Sequence, residues 1–143
     1  MIATCTRRLE WDSAHRVLRH ESKCRSLHGH RYAAEITCKA EVLDPVGRVV
    51  DFSVIKEKLG SWIDAHWDHT TLVNKDDLAL VDFCNHDAHM KGNKKPYIFV
   101  GEPTAENIAA SLFLQAKAMI DSEHLWVDHV RVFETPNCWA DVS

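Results

Sequence analysis

From His28 to Val42 the run HGHRYAAEITCKAEV alternates with a period of two, and no other feature limits the fold of this chain as strongly. His30, Tyr32, Ala34, Ile36, Cys38 and Ala40 fall on one face, and Arg31, Glu35, Thr37, Lys39 and Glu41 on the other. Successive strand side chains point to opposite faces, so the run specifies a long strand with one apolar and one polar side. A second alternation precedes it from Thr6 to His15, with Leu9, Trp11, Ser13 and His15 opposed to Arg8, Glu10 and Asp12. Residues 16–27 between the two runs are polar and irregular and read as a loop. Two long strands joined in this way form an antiparallel hairpin.

After a DPVGR turn at 44–48, the run DFSVIKEKLGSWIDAHW reads as a helix, with Ser53 as its N-cap and Ile55, Leu59 and Trp62 as its buried stripe. A polar stretch of low periodicity follows, about 75–101. A second helix starts at EPTAENIA, capped by Thr104, with Glu106 at the positive end of its dipole and Ile108, Leu112 and Met119 facing inward. LWVDHVRVFE and CWADV read as two closing strands. The order ββ, α, loop, α, ββ predicts an α+β domain: a four-stranded antiparallel sheet with two helices on one face. The other face then meets solvent or a second subunit, and a free edge or an apolar face there would favour a homo-oligomer.

A chain of 143 residues with 45% apolar residues suffices for one compact domain with a real core. Five cysteines without a CxxC pair signal neither a disulfide framework nor a zinc ribbon. The N-terminus has no signal-peptide core and no run could span a bilayer, so a cytoplasmic location without membrane attachment is expected. A net charge of −4 without a long basic run argues against nucleic acid as partner.

The chemistry concentrates in KCRSLHGH, residues 23–30. His28 and His30 are two apart on a strand and share a face. His15 ends the neighbouring strand on the matching face. Three neutral imidazoles on rigid strands suit a zinc site with its fourth position open. Cys24 has two active readings: a fourth ligand closing a structural site, or a thiol whose ionisation is favoured by Lys23, Arg25 and a metal. A loop cysteine without a role is the third. Asp68 and His69 after the first helix form a carboxylate–imidazole pair, the usual pairing for an acid or base, although such a dipeptide is also common in solvent. Glu134 shares parity with Val130 and Val132, and a carboxylate there needs a partner, such as a ligand edge with two N–H groups. His86 and His89 have HxxH spacing in a segment without helical periodicity, so no second metal is expected there.

The segments WDSAHRV, KCRSLHGHRY, VVDFSVIK, DHTTLVN, PTAENIA and VRVFETPNCWA, in this order, resemble the 6-pyruvoyl-tetrahydropterin synthase family, which includes the 6-carboxy-tetrahydropterin synthases of queuosine precursor synthesis. The resemblance spans nearly the whole chain except about 75–101, which is longer than the common form, and the chain is expected to be one synthase domain, 1–143. The three-residue gap between Cys24 and His28 looks like the carboxy type. The resemblance implies a tunnelling T-fold assembled as trimers or hexamers, with His15, His28 and His30 as zinc ligands and Cys24 as catalytic thiol. It further implies Asp68–His69 as a relay to that thiol and Glu134 as the pterin anchor. Thr104 and Glu106 lie in a matching helix-start motif. The implied substrate is 7,8-dihydroneopterin triphosphate, with Lys23, Arg25, Arg16 and Arg19 as candidates for its phosphates. Competing expectations are a pyruvoyl-type synthase and a non-catalytic, zinc-stabilised binding module.

Overall fold

The computed structural model describes residues 1–143. Its two longest strands are the predicted hairpin: β1, Ala3–His15, and β2, His28–Ala40, antiparallel with Ala3 opposite Ala40 and His15 opposite His28. Burial follows the alternation in β1, while β2 also buries Ala33 and Thr37 of its opposite face. Leu9, Trp11, Ser13 and His15 of β1 face inward, as do Tyr32, Ala34, Ile36, Cys38 and Ala40 of β2. The loop between them holds one 3-10 turn at Lys23–Arg25.

The helical segment after β2 comprises α1, Phe52–Ile55, a π-type turn at Lys56–Gly60, and α2, Ser61–His66. Its cap is Asp51 rather than Ser53, because the Asp51 side chain accepts from both the amide and the hydroxyl of Ser53. The core-facing positions are Ile55, Leu59 and Ile63, with Trp62 packed partly against them. The extra residue of the π turn suits this i, i+4, i+8 spacing.

The stretch expected to be irregular is structured. β3, Thr70–Asn74, lies just before it, and α3, Leu78–Lys91, and β4, Tyr97–Phe99, lie within it. β3 runs parallel to β1 and β4 parallel to β3. The second predicted helix is α4, Ala105–Ile120, capped by the Thr104 hydroxyl accepting from the Asn107 amide. β5, Leu125–Thr135, and β6, Cys138–Val142, close the chain. The expected four-stranded antiparallel sheet is therefore six-stranded and mixed, in the order β4-β3-β1-β2-β5-β6, within the expected α+β class.

One contiguous core joins the inner sheet face to the helices, with Trp11, Tyr32, Ile36, Leu59, Trp67, Ile108 and Leu112 at its centre. The outer sheet face is not apolar. Cross-strand ion pairs ladder it: Arg8–Glu35 at 3.3 Å, Arg31–Asp12 at 2.9 Å, Lys39–Asp128 at 3.2 Å and Arg131–Asp141 at 2.7 Å. Such pairs stabilise little individually but satisfy a face that water alone would otherwise have to cover. β4 and β6 leave the two sheet edges unpaired. No helix is long and apolar enough to cross a membrane.

Candidate metal centre and adjoining cleft

The hairpin register assembles the centre. His15 pairs directly with His28, and His30 lies diagonally, opposite Ser13. One ligand nitrogen from each of His15, His28 and His30 falls within 4.8 Å of the others. His15 is fully buried; the other two are partly so. Gly29 makes the approach possible. A Cβ there would lie 3.2 Å from the Ser13 carbonyl oxygen, in backbone that cannot easily yield.

The hydrogen bonds fix the tautomers. His15 Nδ1 lies 2.8 Å from the Pro103 carbonyl oxygen and His28 Nδ1 lies 2.6 Å from that of Ser26. A carbonyl oxygen only accepts, so each Nδ1 carries the proton and each Nε2 presents a lone pair. Those two Nε2 atoms are 3.2 Å apart. His30 Nε2 is buried without a hydrogen-bond partner. Lone pairs converging in this way repel unless a cation sits among them. A tetrahedral zinc with bonds of about 2.0–2.1 Å spaces its ligand nitrogens by about 3.4 Å. The donor set therefore fits such an ion. Burial pushes the His15 and His30 imidazoles below their ordinary pKa, which keeps them in the neutral, ligating form.

Glu134 overlooks the centre, its carboxylate 3.6 Å from His30 Nε2 and 3.9 Å from His15 Nε2. It occupies the register shift between Phe133 and Thr135 where β5 meets β6. A bulge of this kind re-aims a side chain. A cleft of about 250 Å³ opens beside it, lined by His15, His20, Cys24, Thr104, Glu106 and Glu134, together with Cys138 and Trp139. No cysteine sulfur joins the cluster of converging ligand atoms. Lys23 and Arg25 flank Cys24 in the 3-10 turn and are exposed.

Asp68 and His69 form a second constellation. His69 Nδ1 lies 2.8 Å from Asp68 Oδ2, and Asp68 Oδ1 accepts from the Asp12 amide at 3.0 Å. Burial alone would raise the Asp68 carboxyl; the Asp12 amide and the His69 imidazole outweigh it and hold the pKa below the ordinary value. His69 adopts φ 54°, a left-handed conformation uncommon outside glycine. Its ring lines a groove with Asp12, His30, Arg31 and Thr71, not the Cys24 cleft. Within one chain the thiol and its expected relay therefore line different cavities. The two histidines of α3, His86 and His89, lie on a helix after all but are exposed and join no ligand cluster.

A model of the family described as 6-pyruvoyl tetrahydropterin synthase matches residues 4–143. The chain belongs to that family. Among curated relatives, the 6-carboxy-5,6,7,8-tetrahydropterin synthase of Rickettsia bellii is 38% identical over 139 residues, covering 96% of this chain and 98% of the relative. The enzyme of the same name from Rickettsia conorii is 37% identical over 142 residues, with the same coverage. Solved structures agree in fold. An uncharacterized protein of Wolinella succinogenes superposes with a TM-score of 0.84 at 22% identity, over 99% of this chain and 98% of that one. The Caenorhabditis elegans 6-pyruvoyl tetrahydropterin synthase gives 0.70 at 23%, over 99% and 95%. The fold is thus the T-fold, here with a mixed six-stranded sheet, and the family is one of tetrahydropterin synthases.

Three features of this family member escaped the sequence. His20 lines the Cys24 cleft, and its Nδ1 accepts from the Ser22 amide at 2.9 Å, so the neutral ring carries its proton on Nε2. Cys138 lines the same cleft. Arg16, a phosphate candidate, is instead committed to Asp77 through two bonds of 2.6 Å. Arg19 lies 3.6 Å from Asp76. Lys23 and Arg25 remain as candidates. Only the His20 turn had a sequence signal: a histidine four residues before a loop cysteine.

Proposed function

We propose that this chain is a zinc-dependent 6-carboxy-5,6,7,8-tetrahydropterin synthase, converting 7,8-dihydroneopterin triphosphate with release of acetaldehyde and triphosphate, a step toward 7-deazaguanine precursors of the queuosine type. Support for the carboxy product comes from the names of its relatives at 37–38% identity and from the three-residue gap between Cys24 and His28. The observation that carries the metal is the pair of facing Nε2 lone pairs at 3.2 Å beside the unpartnered, buried His30 Nε2.

His15, His28 and His30 would hold one zinc per chain. When bound, it supplies Lewis acidity toward the hydroxyls of the substrate side chain. Pro103 and Ser26 orient two of the rings through their carbonyls, the outer-sphere support that metal-ligating histidines use. Glu134 would anchor the pterin, its carboxylate accepting from an amidine-like edge with two N–H groups. Thr104 and Glu106 open α4 at the mouth of the same cleft and would complete that pocket. Cys24 would take and return the proton at the side-chain carbon as a thiolate. Lys23 and Arg25 bring positive charge to the triphosphate.

Asp68–His69 would relay the proton to and from Cys24. Since the two groups line separate cavities in one chain, the relay requires a second copy to supply one of them, and the functional unit is a homo-oligomer, trimeric or hexameric. The unpaired β4 and β6 edges offer the means of assembly. The whole chain would act as one synthase domain in the cytoplasm.

Product analysis tests the assignment. Zinc-loaded protein given dihydroneopterin triphosphate should release acetaldehyde and triphosphate in equal amounts. Triphosphate without acetaldehyde would instead mark a pyruvoyl-type synthase, in which all side-chain carbons stay in the product.

A further inference from the structure

The loop 16–22 that leads from the metal centre to Cys24 has little internal structure. Its backbone bonds are His20 N to Val17 O at 3.0 Å, Val17 N to Cys24 O at 2.9 Å and Arg25 N to Ser22 O at 3.2 Å. What holds it to the fold comes from far along the chain. The Glu102 carboxylate accepts from the Leu18 amide through one oxygen at 2.9 Å and from the Arg19 amide through the other at 3.0 Å. A carboxylate bridging two consecutive amides fixes both the position and the direction of that backbone.

Glu102 is itself fixed. Its carbonyl accepts from the Asn107 side chain at 2.8 Å and from the Thr104 amide at 2.9 Å, which ties it to the first turn of α4. The next residue, Pro103, supplies the carbonyl that orients His15. One short segment thus grips the thiol loop with Glu102 and a candidate metal ligand with Pro103. Arg16, the first residue of the loop, is fastened separately to Asp77.

We infer that Glu102 is a positioning residue that holds the Cys24 loop against the three-histidine centre. This rests on Cys24 being the catalytic thiol of the proposed reaction. Misplacing a reacting group by about 1 Å can cost on the order of a hundredfold in rate. The clamp fixes where Cys24 sits in the cleft that His15 and Glu134 also line.

Glu102→Gln is the test, with Glu102→Asp beside it. Glutamine keeps one acceptor oxygen and turns an N–H toward the second amide, whereas aspartate keeps both acceptors on a shorter stem. In Glu102→Gln, exchange of the Leu18 and Arg19 amides should accelerate by roughly tenfold or more. Alkylation of Cys24 by iodoacetamide should change by a similar factor, while zinc content and Tm hold. The kcat should fall about tenfold with little change in KM, and aspartate should restore part of it. Unchanged amide exchange overturns the clamp. Faster exchange with unaltered Cys24 alkylation and kcat overturns the positioning role. Were the wild-type protein to release no acetaldehyde, the proposed reaction would fail, while exchange and alkylation would still decide the clamp.

Discussion

Replacing Asp77 with Asn should loosen the segment 75–101 from the rest of the fold at a calculable cost. Asp77 is almost fully buried at 3% exposure, and it both caps α3, accepting from Leu80 N, and receives two bonds of 2.6 Å from Arg16. Asparagine caps a helix about as well as aspartate, so the cap survives. The ion pair does not. Breaking a fully buried pair costs about 3–5 kcal/mol, and an exposed pair contributes about 0–1 kcal/mol. The Arg16 side chain keeps 26% exposure, so its stranded charge stays partly hydrated. An intermediate loss of about 2–3 kcal/mol follows, out of a total of roughly 5–15 kcal/mol for an ordinary domain. At about 2–4 °C per kcal/mol for a chain of this size, Tm should fall by roughly 4–12 °C. Hydrogen bonding to Arg16 holds the Asp77 carboxyl below its ordinary pKa. The contribution is therefore fully present above the unfolded value of about 3.9 and lost as pH falls through the lower folded value. Urea titrations of both proteins at neutral pH and near pH 3 give the two differences. A neutral-pH difference below about 0.5 kcal/mol would instead make the pair no stronger than an exposed one, which refutes the reasoning.

Three further substitutions bear on the site. Gly29→Ala forces a Cβ to 3.2 Å from the Ser13 oxygen between two candidate ligands; the strain of about 1–3 kcal/mol should appear as weaker zinc retention against a chelator, and unaltered retention and Tm would show that the strands yield. Glu134→Gln should weaken pterin binding by about 1.5–3 kcal/mol, or roughly ten- to a hundredfold, read by fluorescence titration with a pterin; unchanged binding would remove Glu134 from the pocket. Thr104→Ala removes the oxygen that caps α4 at Asn107 and should cost about 1 kcal/mol in urea unfolding, with no loss if water takes over the cap.

The hairpin was legible because β1 and β2 each carry apolar residues on one face and mostly charged or polar ones on the other, so parity placed His15, His28 and His30 together. Parity also put Glu134 with Val130 and Val132, but not the register shift that aims it at the histidines. The α3 helix was hidden for a physical reason. It buries only Leu80 and Ala88, while Leu78, Phe83 and Met90 face outward, so no apolar stripe marks it. β3 and β4 are short and pair in parallel with strands distant in sequence, which no local pattern reports. The separation of His69 from Cys24 belongs to tertiary geometry alone. Glu102 carried no signal either, because its partners are backbone amides 83 and 84 residues away.

The most direct test of an open three-histidine centre served by a free thiol is the zinc content of Cys24→Ala, measured beside its turnover. The prediction is one zinc per chain, a wild-type Tm and no detectable release of acetaldehyde from dihydroneopterin triphosphate. A variant that loses its zinc and its stability would make Cys24 a ligand of a closed structural site and contradict the account.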